Sequence, residues 1–358
     1  MNEKSAQPKG VFIDLRSDTV TRPTEAMLDA MRDASLEDDA RDGDSTVQKL
    51  EKTAAECMGK EAALFMPSGT MTNLVAVLAH TSRGGEVLLE SGAHILNSEL
   101  GGLCTLAGVF YRGIPGRRGA MDPALLSELI RPLTRNNLGT ALVCMETTHN
   151  KAGGSILPLE HMKTIRRITA EHGIPVHTDG ARVFNASIAL DVSADAIAEH
   201  TDSISFCVSK GLSAPVGSLL CGSAAFIERA GAFRRMVGGN MRQAGPLAAA
   251  ALIAIDTMVQ RLRDDHATAK QLAVKLHAID NRLVDPVHVQ TNIVRVELPT
   301  DGVPAAEWAA ALGKRAVLVS PSGRYSLRFV THRHIDELHI DAAASAFGDV
   351  WRTLNQAH

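Results

Sequence analysis

The sequence lacks long apolar runs and has few cysteines, and both shortages narrow the classes of protein it can encode. Its longest apolar stretch, residues 244–255, contains Gly245 and Pro246 and falls well short of the roughly 20 residues that span a bilayer. The five cysteines are odd in number and widely spaced, which disfavours a disulfide framework and a zinc site and indicates a reducing compartment. We therefore expect a cytoplasmic protein with no membrane segment and no metal centre.

No part of the sequence concentrates charge of one sign. The 37 basic and 40 acidic residues give a formal net charge of −3 and are spread along the whole chain. This distribution offers no basic surface for broad binding to a phosphate backbone, so we expect no nucleic-acid partner. The first residues, MNEKSAQPKG, carry charge without an apolar stretch behind them, and residues 1–13 are therefore expected to be a flexible leader rather than a signal peptide.

The length and composition of the chain are typical of a soluble globular protein of two domains, or of one large body with an appendage. Its 358 residues are 45% hydrophobic and 22% charged. Short apolar runs alternate with helical patterns up to residue 255, which predicts an α/β fold with a mostly parallel sheet in a large domain, residues 14–255. A small C-terminal α+β domain is expected over residues 256–358. Predicted strands cover residues 63–66, 86–89, 141–145, 175–178 and 204–208, then 292–296, 316–319 and 326–330, with a surface turn at 113–123.

Three segments of the large domain could carry chemistry, and the first is Pro67-Ser68-Gly69-Thr70, where a strand gives way to a helix. The free N–H groups of a helix N-terminus, a glycine that permits close approach and two hydroxyls together suit an anion. An ordinary helix cap by Ser68 or Thr70 explains the same residues.

The second and third segments follow apolar strands. Asp179, in HTDGAR, would emerge at the carboxyl end of its strand and point into a crevice, although a surface turn explains this segment slightly better when it is taken by itself. Lys210, in VSKG, is flanked by small residues, a setting that favours a nucleophilic amine able to bond a cofactor aldehyde. A lysine that simply extends into solvent is the alternative.

Together the three segments match the three groups that pyridoxal 5'-phosphate requires of a protein. The phosphate would bind Ser68, Gly69 and Thr70, Asp179 would pair with the pyridine nitrogen, and Lys210 would bond the aldehyde carbon. A nicotinamide cofactor is disfavoured because no Gly-x-Gly-x-x-Gly follows the early strands, and no phosphate-binding P-loop is present either.

Several motifs follow one another in a fixed order along most of the chain. They are DLRSDTVTRPT from Asp14, GKEAA from Gly59, PSGT, ETTHN from Glu146, DGAR, SKG and GGNMRQ from Gly238. This order resembles that of the L-threonine aldolase family, in the β-eliminating lyase superfamily. The resemblance implies the aspartate-aminotransferase-like (fold type I) architecture, pyridoxal 5'-phosphate as cofactor and a homotetramer built as a dimer of dimers. It also implies cleavage of an L-β-hydroxy-α-amino acid, such as threonine or allo-threonine, to glycine and an aldehyde.

The resemblance also assigns roles to single residues by position. Lys210 and His94 would be the catalytic residues, with His94 stacked on the cofactor ring and serving as the base or ordering a water that does. Arg242 would reach a cofactor phosphate across a subunit interface. A buried structural histidine is the alternative for His94, and a solvated side chain is the alternative for Arg242 and Arg328. The substrate carboxylate would be held by Ser17, Arg182 and Arg328.

Two positions depart from the family pattern. Arg41 stands where the family usually has a tyrosine, and Asn136 stands where it commonly has a second histidine. Because an asparagine cannot take a proton near neutral pH, any base role at that position is missing and threonine cleavage is expected to be slow. Arg41 would favour a substrate with an anion on its β-side, unless it points to solvent or pairs with Asp39 or Asp42.

Other functions and other residues stay open at this point. The same scaffold could catalyse β-elimination, or transfer the glycine unit to another aldehyde. A non-catalytic protein that binds the cofactor is a third alternative, but it would not need arginines for a substrate carboxylate. Glu146 and His149 lie beyond a strand end, where they could be structural or could support the site.

Overall fold

The computed structural model describes residues 12–355, which fold into two domains around separate cores. The larger domain contains a seven-stranded sheet and the smaller one a three-stranded sheet. Residues 1–11, most of the expected leader, lie outside the described residues. In chain order the strands are β1 (Ile13–Asp14), β2 (Ala62–Met66), β3 (Glu86–Glu90), β4 (Phe110–Ile114), β5 (Gly116–Arg117), β6 (Ala120–Met121), β7 (Thr140–Glu146), β8 (Val176–Asp179), β9 (Ser203–Cys207), β10 (Ser218–Gly222), β11 (Ile293–Glu297), β12 (Val317–Leu318), β13 (Ser320–Gly323) and β14 (Ser326–Val330).

Several helices begin at a side chain that accepts an N–H of the first turn, as at Thr24, Asp44, Ser68, Asp122 and Ser223. Among residues 12–355, no helix is both long enough and apolar enough to cross a membrane. The helices are α1 (Glu25–Asp33), α2 (Ser45–Cys57), α3 (Gly69–His80), α4 (His94–Asn97), α5 (Pro123–Leu129), α6 (Leu159–Ala170), α7 (Val183–Leu190), α8 (Ala194–Ala198), α9 (Ala224–Met236), α10 (Gly245–Met258), α11 (Leu262–Ile279), α12 (Ala305–Gly313) and α13 (Glu337–Asn355), with shorter turns at Asp18–Val20, Leu103–Ala107 and Pro286–His288.

The large sheet has the strand order β2-β10-β9-β8-β7-β3-β4. Every adjacent pair is parallel except the two that involve β10, which runs antiparallel to both β9 and β2. The expected mostly parallel sheet is therefore confirmed. Because all strands other than β10 run in one direction, their carboxyl ends meet at one edge of the sheet.

The apolar runs of the sequence reflect a sheet that is covered on both faces. Along β7, Val143 and Met145 belong to one hydrophobic cluster, whereas Leu142 and Cys144 belong to another on the opposite face. A strand buried on both sides needs apolar residues at every position, so it shows no alternation. The five strands predicted for this domain are confirmed to within one residue at each end, as β2, β3, β7, β8 and β9.

The sequence analysis missed β4 and β10. Phe110 and Tyr111 in β4 are exposed, because this strand lies at the edge of the sheet. The surface turn at residues 113–123 is confirmed, since β5 and β6 form a hairpin in which Arg118 and Gly119 have φ angles of 55° and 86°.

The small domain packs α11, α12 and α13 against strands β11, β14 and β13. Residues near the start of the described chain also contact this domain, because Ile13 and Asp14 pair with Val317 and Leu318 in β12. Leu15 is fully buried in the core of the small domain. Residues 13–15 therefore lie on the small domain before the chain crosses to the large one, a long-range pairing that no local pattern around residue 13 could reveal.

Candidate active site

Five strands of the large sheet end at the edge where their carboxyl ends meet, and each leads there into a polar side chain or a helix N-terminus. Helix α3 follows β2, His94 follows β3, Glu146 ends β7, Asp179 ends β8 and Lys210 follows β9. In open α/β sheets this edge is where ligands bind. The space bounded by the start of α3, His94, Asp179 and Lys210 is named the crevice below.

The start of α3 has the free N–H groups and the glycine that suit a bound anion. Ser68 caps the helix, since its Oγ accepts the N–H of Met71 at 3.2 Å, so the capping alternative is confirmed for this residue. The N–H groups of Gly69 and Thr70 have no partner within a helix that starts there. Gly69 packs on the end of β9, because a Cβ at this position would lie 2.9 Å from the Sγ of Cys207.

Asp179 lies buried at the floor of the crevice. Its Oδ2 accepts the Nδ2–H of Asn73 at 2.9 Å, and its Oδ1 accepts the N–H of Ala181 at 3.0 Å. Burial by itself would raise the pKa of Asp179, but the positive charges of Lys210 and His94 and these two hydrogen bonds lower it. The site therefore holds an ionised carboxylate shielded from water.

His94 is oriented by a carboxylate that the sequence analysis missed. Its Nδ1 lies 2.9 Å from Oε1 of Glu99, and the same oxygen accepts the Nδ2–H of Asn73 at 2.9 Å. Because that oxygen is an acceptor, Nδ1 of His94 carries a proton. The hydrogen bond to Glu99 raises the pKa of His94 despite its burial, while burial raises the pKa of Glu99.

His94, Glu99 and Asp179 present possible ligand atoms within 4.8 Å of one another, which is close enough for a metal ion. The amide N–H groups of Asn73 donate to both carboxylates and fix their orientation.

Lys210 is half-buried between two carboxylates. Burial would raise the pKa values of Asp18 and Asp179, but nearby positive charges lower both, and Lys210 is one of those charges in each case. Thr21 donates its hydroxyl to the backbone oxygen of Lys210 at 2.8 Å, so the N-terminal motif fixes the loop that carries the lysine.

Arg182, which was predicted to hold the substrate carboxylate, pairs with a carboxylate of the N-terminal motif. Its Nε and Nη2 donate to the two oxygens of Asp18 at 2.6 and 2.7 Å, and both side chains are buried. Asp18 also accepts the Nδ2–H of Asn292 from the small domain at 3.1 Å. The predicted contact with a substrate carboxylate is left to the remaining Nη1 of Arg182.

Arg328 reaches the crevice from β14 of the small domain. Its Nη1 donates to Oδ1 of Asn150 at 2.9 Å and its Nη2 to the backbone oxygen of Arg16 at 3.2 Å. The Nε is buried without a partner among residues 12–355, so a bound carboxylate could satisfy it. Burial and the neighbouring Arg182 lower the pKa of Arg328. Arg328, His94 and Asn150 line one cavity of about 430 Å³.

Ser17 lies next to this group, in the residues that lead into Asp18. It caps the turn Asp18–Val20, and its Oγ accepts the N–H of Thr19 at 3.2 Å. The hydroxyl is therefore already used inside its own turn, although a hydroxyl can still donate its hydrogen to a substrate.

Three residues singled out from the sequence lie away from the crevice. Arg242 is exposed and donates to Asp38 at 3.2 Å. Arg41 is 79% exposed, and its Nε lies 3.8 Å from Oδ2 of Asp42. This agrees with the alternative that Arg41 points to solvent or pairs with a nearby aspartate. Asn136 is exposed and lines a cavity beside Glu86, at the amino ends of the strands. Within one chain, none of the three reaches the crevice.

A larger cavity of about 580 Å³ also opens at the amino ends of the strands. It is lined by residues 80–85, 131–133, 138–141 and 172–175, and it contains none of the residues that bound the crevice. Size alone therefore does not mark the candidate active site.

Comparison with known proteins adds an independent finding. Residues 14–299 match the β-eliminating lyase family. A low-specificity L-threonine aldolase of Arabidopsis thaliana is 40% identical over 350 residues, which cover 96% of this chain and 98% of that relative. A low-specificity L-threonine aldolase of Escherichia coli is 41% identical over 326 residues, which cover 90% of this chain and 94% of the relative.

The fold has a counterpart among solved structures. The threonine aldolase of Leishmania major superposes with a TM-score of 0.79 at 19% identity, over 94% of this chain and 99% of that one. Together with the strand order of the large sheet, this likeness confirms the expected α/β architecture of fold type I.

Proposed function

The chain belongs to the β-eliminating lyase family, with the L-threonine aldolases, and we propose that it cleaves an L-β-hydroxy-α-amino acid to glycine and an aldehyde. It is a carbon–carbon lyase, and its proposed cofactor is pyridoxal 5'-phosphate. Threonine and allo-threonine are the first substrates to consider, since relatives of 40 and 41% identity are named for threonine cleavage. The observation that carries the proposal is that Arg328 and His94 face one cavity beside Asp179 and Lys210.

The residues of the crevice fit the cofactor. Ser68, Gly69 and Thr70 offer N–H groups and hydroxyls to a phosphate at the start of α3. The ionised carboxylate of Asp179 can hold a proton on a pyridine nitrogen, and Lys210 supplies the amine. When bound, the cofactor withdraws electrons from the Cα of the amino acid, which weakens the Cα–Cβ bond.

The substrate carboxylate is proposed to bind Arg328, whose planar fork can donate to two oxygens at once. The buried Nε without a partner supports this assignment. Arg182 is proposed to contribute its Nη1 and, through Asp18, to hold the N-terminal motif against the site. Ser17 is proposed as an additional donor to the same carboxylate.

His94 is proposed to take the proton of the β-hydroxyl, directly or through a water that it orders. Glu99 fixes the proton of the neutral ring on Nδ1, which leaves Nε2 as the accepting atom. A raised pKa makes His94 a stronger base once it is neutral. The side chain is therefore expected to work best above that pKa.

The family resemblance supports a proposed assembly, and the cysteines support a proposed location. We propose a homo-oligomer built as a dimer of dimers, in which Arg242 of one subunit serves the site of another. All five cysteines are free thiols in the structure, which suits the reducing cytoplasm.

The function is tested by assaying the purified protein against L-threonine, L-allo-threonine and β-hydroxyaspartate. We expect glycine and the matching aldehyde in equal amounts. The acidic substrate is included because Arg41 and Asn136 predict slow threonine cleavage and a preference for an anionic β-side. Ammonia with a keto acid would indicate β-elimination, and glycine incorporated into a second aldehyde would indicate transfer of the glycine unit. A protein that binds the cofactor and forms none of these products would be the non-catalytic alternative.

Lys210 is predicted to be the lysine that bonds the cofactor, because it lies beside Asp179 at the end of β9. Borohydride reduction of the cofactor-loaded protein should leave the cofactor covalently attached to Lys210. The Lys210→Ala variant should carry no such label. Lys60 is the control, since it is also half-buried but donates to the backbone oxygen of Thr201 at 2.6 Å. A label that persists in Lys210→Ala and disappears in Lys60→Ala would reverse the assignment.

A further inference from the structure

Three ionisable side chains lie buried behind the crevice and have no part in the proposed reaction. Glu90, Glu146 and His149 are 8, 5 and 2% exposed. Burial of ionisable groups costs free energy unless they are paired. Their contacts explain why they occur together.

Glu146 connects two segments that form the walls of the substrate cavity. Its Oε2 accepts the backbone N–H of His94 at 2.6 Å, and its Oε1 accepts the backbone N–H of Asn150 at 2.8 Å. His94 and Asn150 both line the cavity of about 430 Å³. One carboxylate thus fixes the backbone on both sides of it.

Asn150 extends this connection into the small domain. Its Oδ1 accepts from Nη1 of Arg328 at 2.9 Å. A continuous series of hydrogen bonds therefore runs from His94 through Glu146 and Asn150 to Arg328. Its two ends are the proposed base and the proposed partner of the substrate carboxylate.

His149 and Glu90 hold Glu146 in place. Nε2 of His149 lies 2.9 Å from Oε2 of Glu90 and 3.8 Å from Oε2 of Glu146. The N–H of Ala152 donates to Nδ1 of His149 at 3.2 Å, so the proton of the neutral ring is on Nε2, between the two carboxylates. The ring packs closely against Gly119 in the β5–β6 turn, since a Cβ added at that position would lie 2.5 Å from its Cγ.

We propose that Glu146 is a positioning residue that sets the distance between His94 and Arg328, with His149 and Glu90 fixing its orientation. This inference rests on the proposed function, since it gives a role to the spacing between base and carboxylate partner. A displacement of about 1 Å at a reacting group can cost about a hundredfold in rate. A rigid carboxylate shared by both walls prevents such a displacement.

The test is Glu146→Gln, which keeps the size of the side chain but replaces one acceptor oxygen with an NH₂ donor. That donor must oppose the N–H of either His94 or Asn150. We expect KM for L-threonine to rise by about tenfold or more, as for other groups that orient a site residue. The Kd for glycine, measured from the absorbance change of the bound cofactor, should rise by a similar factor while the cofactor stays bound.

Glu86→Gln is the matched control. Glu86 is 7% exposed and begins the strand that Glu90 ends, but it pairs with Arg112 at the opposite edge of the sheet. Its loss should lower the unfolding temperature and leave KM and the glycine Kd unchanged. A merely structural role for Glu146 would give the same result in both variants.

Asn150→Ala removes the hydrogen bond between Asn150 and Arg328. We expect it to raise the glycine Kd, and we expect Glu146→Gln/Asn150→Ala to raise it by less than the product of the single effects. Multiplicative effects, or a Kd in Glu146→Gln no higher than in Glu86→Gln, would overturn the proposal. If Glu146→Gln does not fold, an unchanged Kd in Asn150→Ala is the overturning result. A wild-type protein that binds glycine but cleaves no substrate would contradict the proposed function, and the glycine Kd values would still test the positioning role.

Discussion

At the scale of single residues, Glu99 controls the protonation of the proposed base. Its Oε1 is hydrogen-bonded to Nδ1 of His94 at 2.9 Å. No sequence motif marks it, because its importance comes entirely from contact with His94 and Asn73. The pairing of a histidine with a buried carboxylate is a common way to orient the ring and to raise its basicity.

Glu99→Gln is predicted to move the pH dependence of the reaction. The raised pKa of His94 means that the neutral, accepting ring forms only as the pH rises through that pKa. Without the Glu99 charge the pKa falls, so the acidic limb of the kcat/KM profile should move to lower pH. The profile of Glu128→Gln, an exposed change on α5, serves as the control. An acidic limb that does not move in Glu99→Gln would mean that another group is the titrating base.

Asp18→Asn is predicted to destabilise the fold, because Arg182 would keep a buried charge without an anionic partner. Breaking one side of a buried pair costs about 3–5 kcal/mol. Asp14→Asn is the control, since its partner Arg16 is 42% exposed, and the loss there should stay below about 1 kcal/mol. The free energies of unfolding in urea measure both. Equal losses in the two variants would show that burial of the Asp18 pair adds nothing.

The same pair fixes a pH window for stability. Burial raises the pKa of Asp18, but Arg182 and Lys210 lower it well below its ordinary value. A carboxyl whose pKa is lowered by folding stabilises the protein fully above its unfolded pKa, about 4, and the stabilisation is lost as the pH falls through the lower folded value. This contribution of Asp18 is therefore constant at neutral pH and disappears only in strong acid.

At the scale of elements, the contact of α3 with β9 is proposed to set how closely a phosphate can approach. Gly69 lies against Cys207, and Lys210 follows the same strand. The start of α3 and the residues after β9 thus carry two of the three groups that are proposed to hold the cofactor. A side chain at position 69 would change their relative position.

Gly69→Ala is predicted to weaken cofactor binding, since its Cβ would lie 2.9 Å from the Sγ of Cys207 and would shift the start of α3. A loss of about 1.4 kcal/mol corresponds to a tenfold higher Kd. Adding Cys207→Ala removes the sulfur and should recover most of the affinity, with Cys207→Ala alone as the control. Cofactor titration followed by absorbance gives the four values. If the double variant binds as weakly as Gly69→Ala, the contact is not the cause.

At the scale of the whole molecule, three residues singled out from the sequence lie away from the crevice of their own chain. Arg242 is exposed, and its side chain pairs with Asp38. Arg41 and Asn136 are exposed as well, and Asn136 lies at the opposite edge of the sheet. The proposed contact of Arg242 with a cofactor phosphate is therefore one across a subunit interface.

Hybrid oligomers of Arg242→Ala and Lys210→Ala chains are predicted to recover activity. Each variant alone should be inactive, because one lacks a proposed phosphate contact and the other the cofactor lysine. A mixed assembly contains some sites with both residues intact, provided that Arg242 reaches across the interface. Activity of separated hybrids is the measurement. Hybrids without activity would place the role of Arg242 inside its own subunit, or nowhere in the reaction.

Local sequence patterns predicted five of the seven strands of the large sheet and the candidate groups Asp179 and Lys210. Strands such as β7 and β8 are visible because burial on both faces requires an unbroken apolar run, which is a property of neighbouring residues. Asp179 and Lys210 could be placed at the crevice because each directly follows such a strand. The edge strand β4 was not predicted, since its exposed residues interrupt the apolar run that marks the buried strands.

Contacts between distant residues could not be predicted from the sequence. Arg182 is bound to Asp18, 164 positions away, and Asn73 connects Asp179, 106 positions away, to Glu99. These contacts depend on how separate elements pack, and no local pattern records that packing. For the same reason the sequence left the role of Glu146 open, since its two partners reach it through backbone N–H groups, which every residue but proline carries.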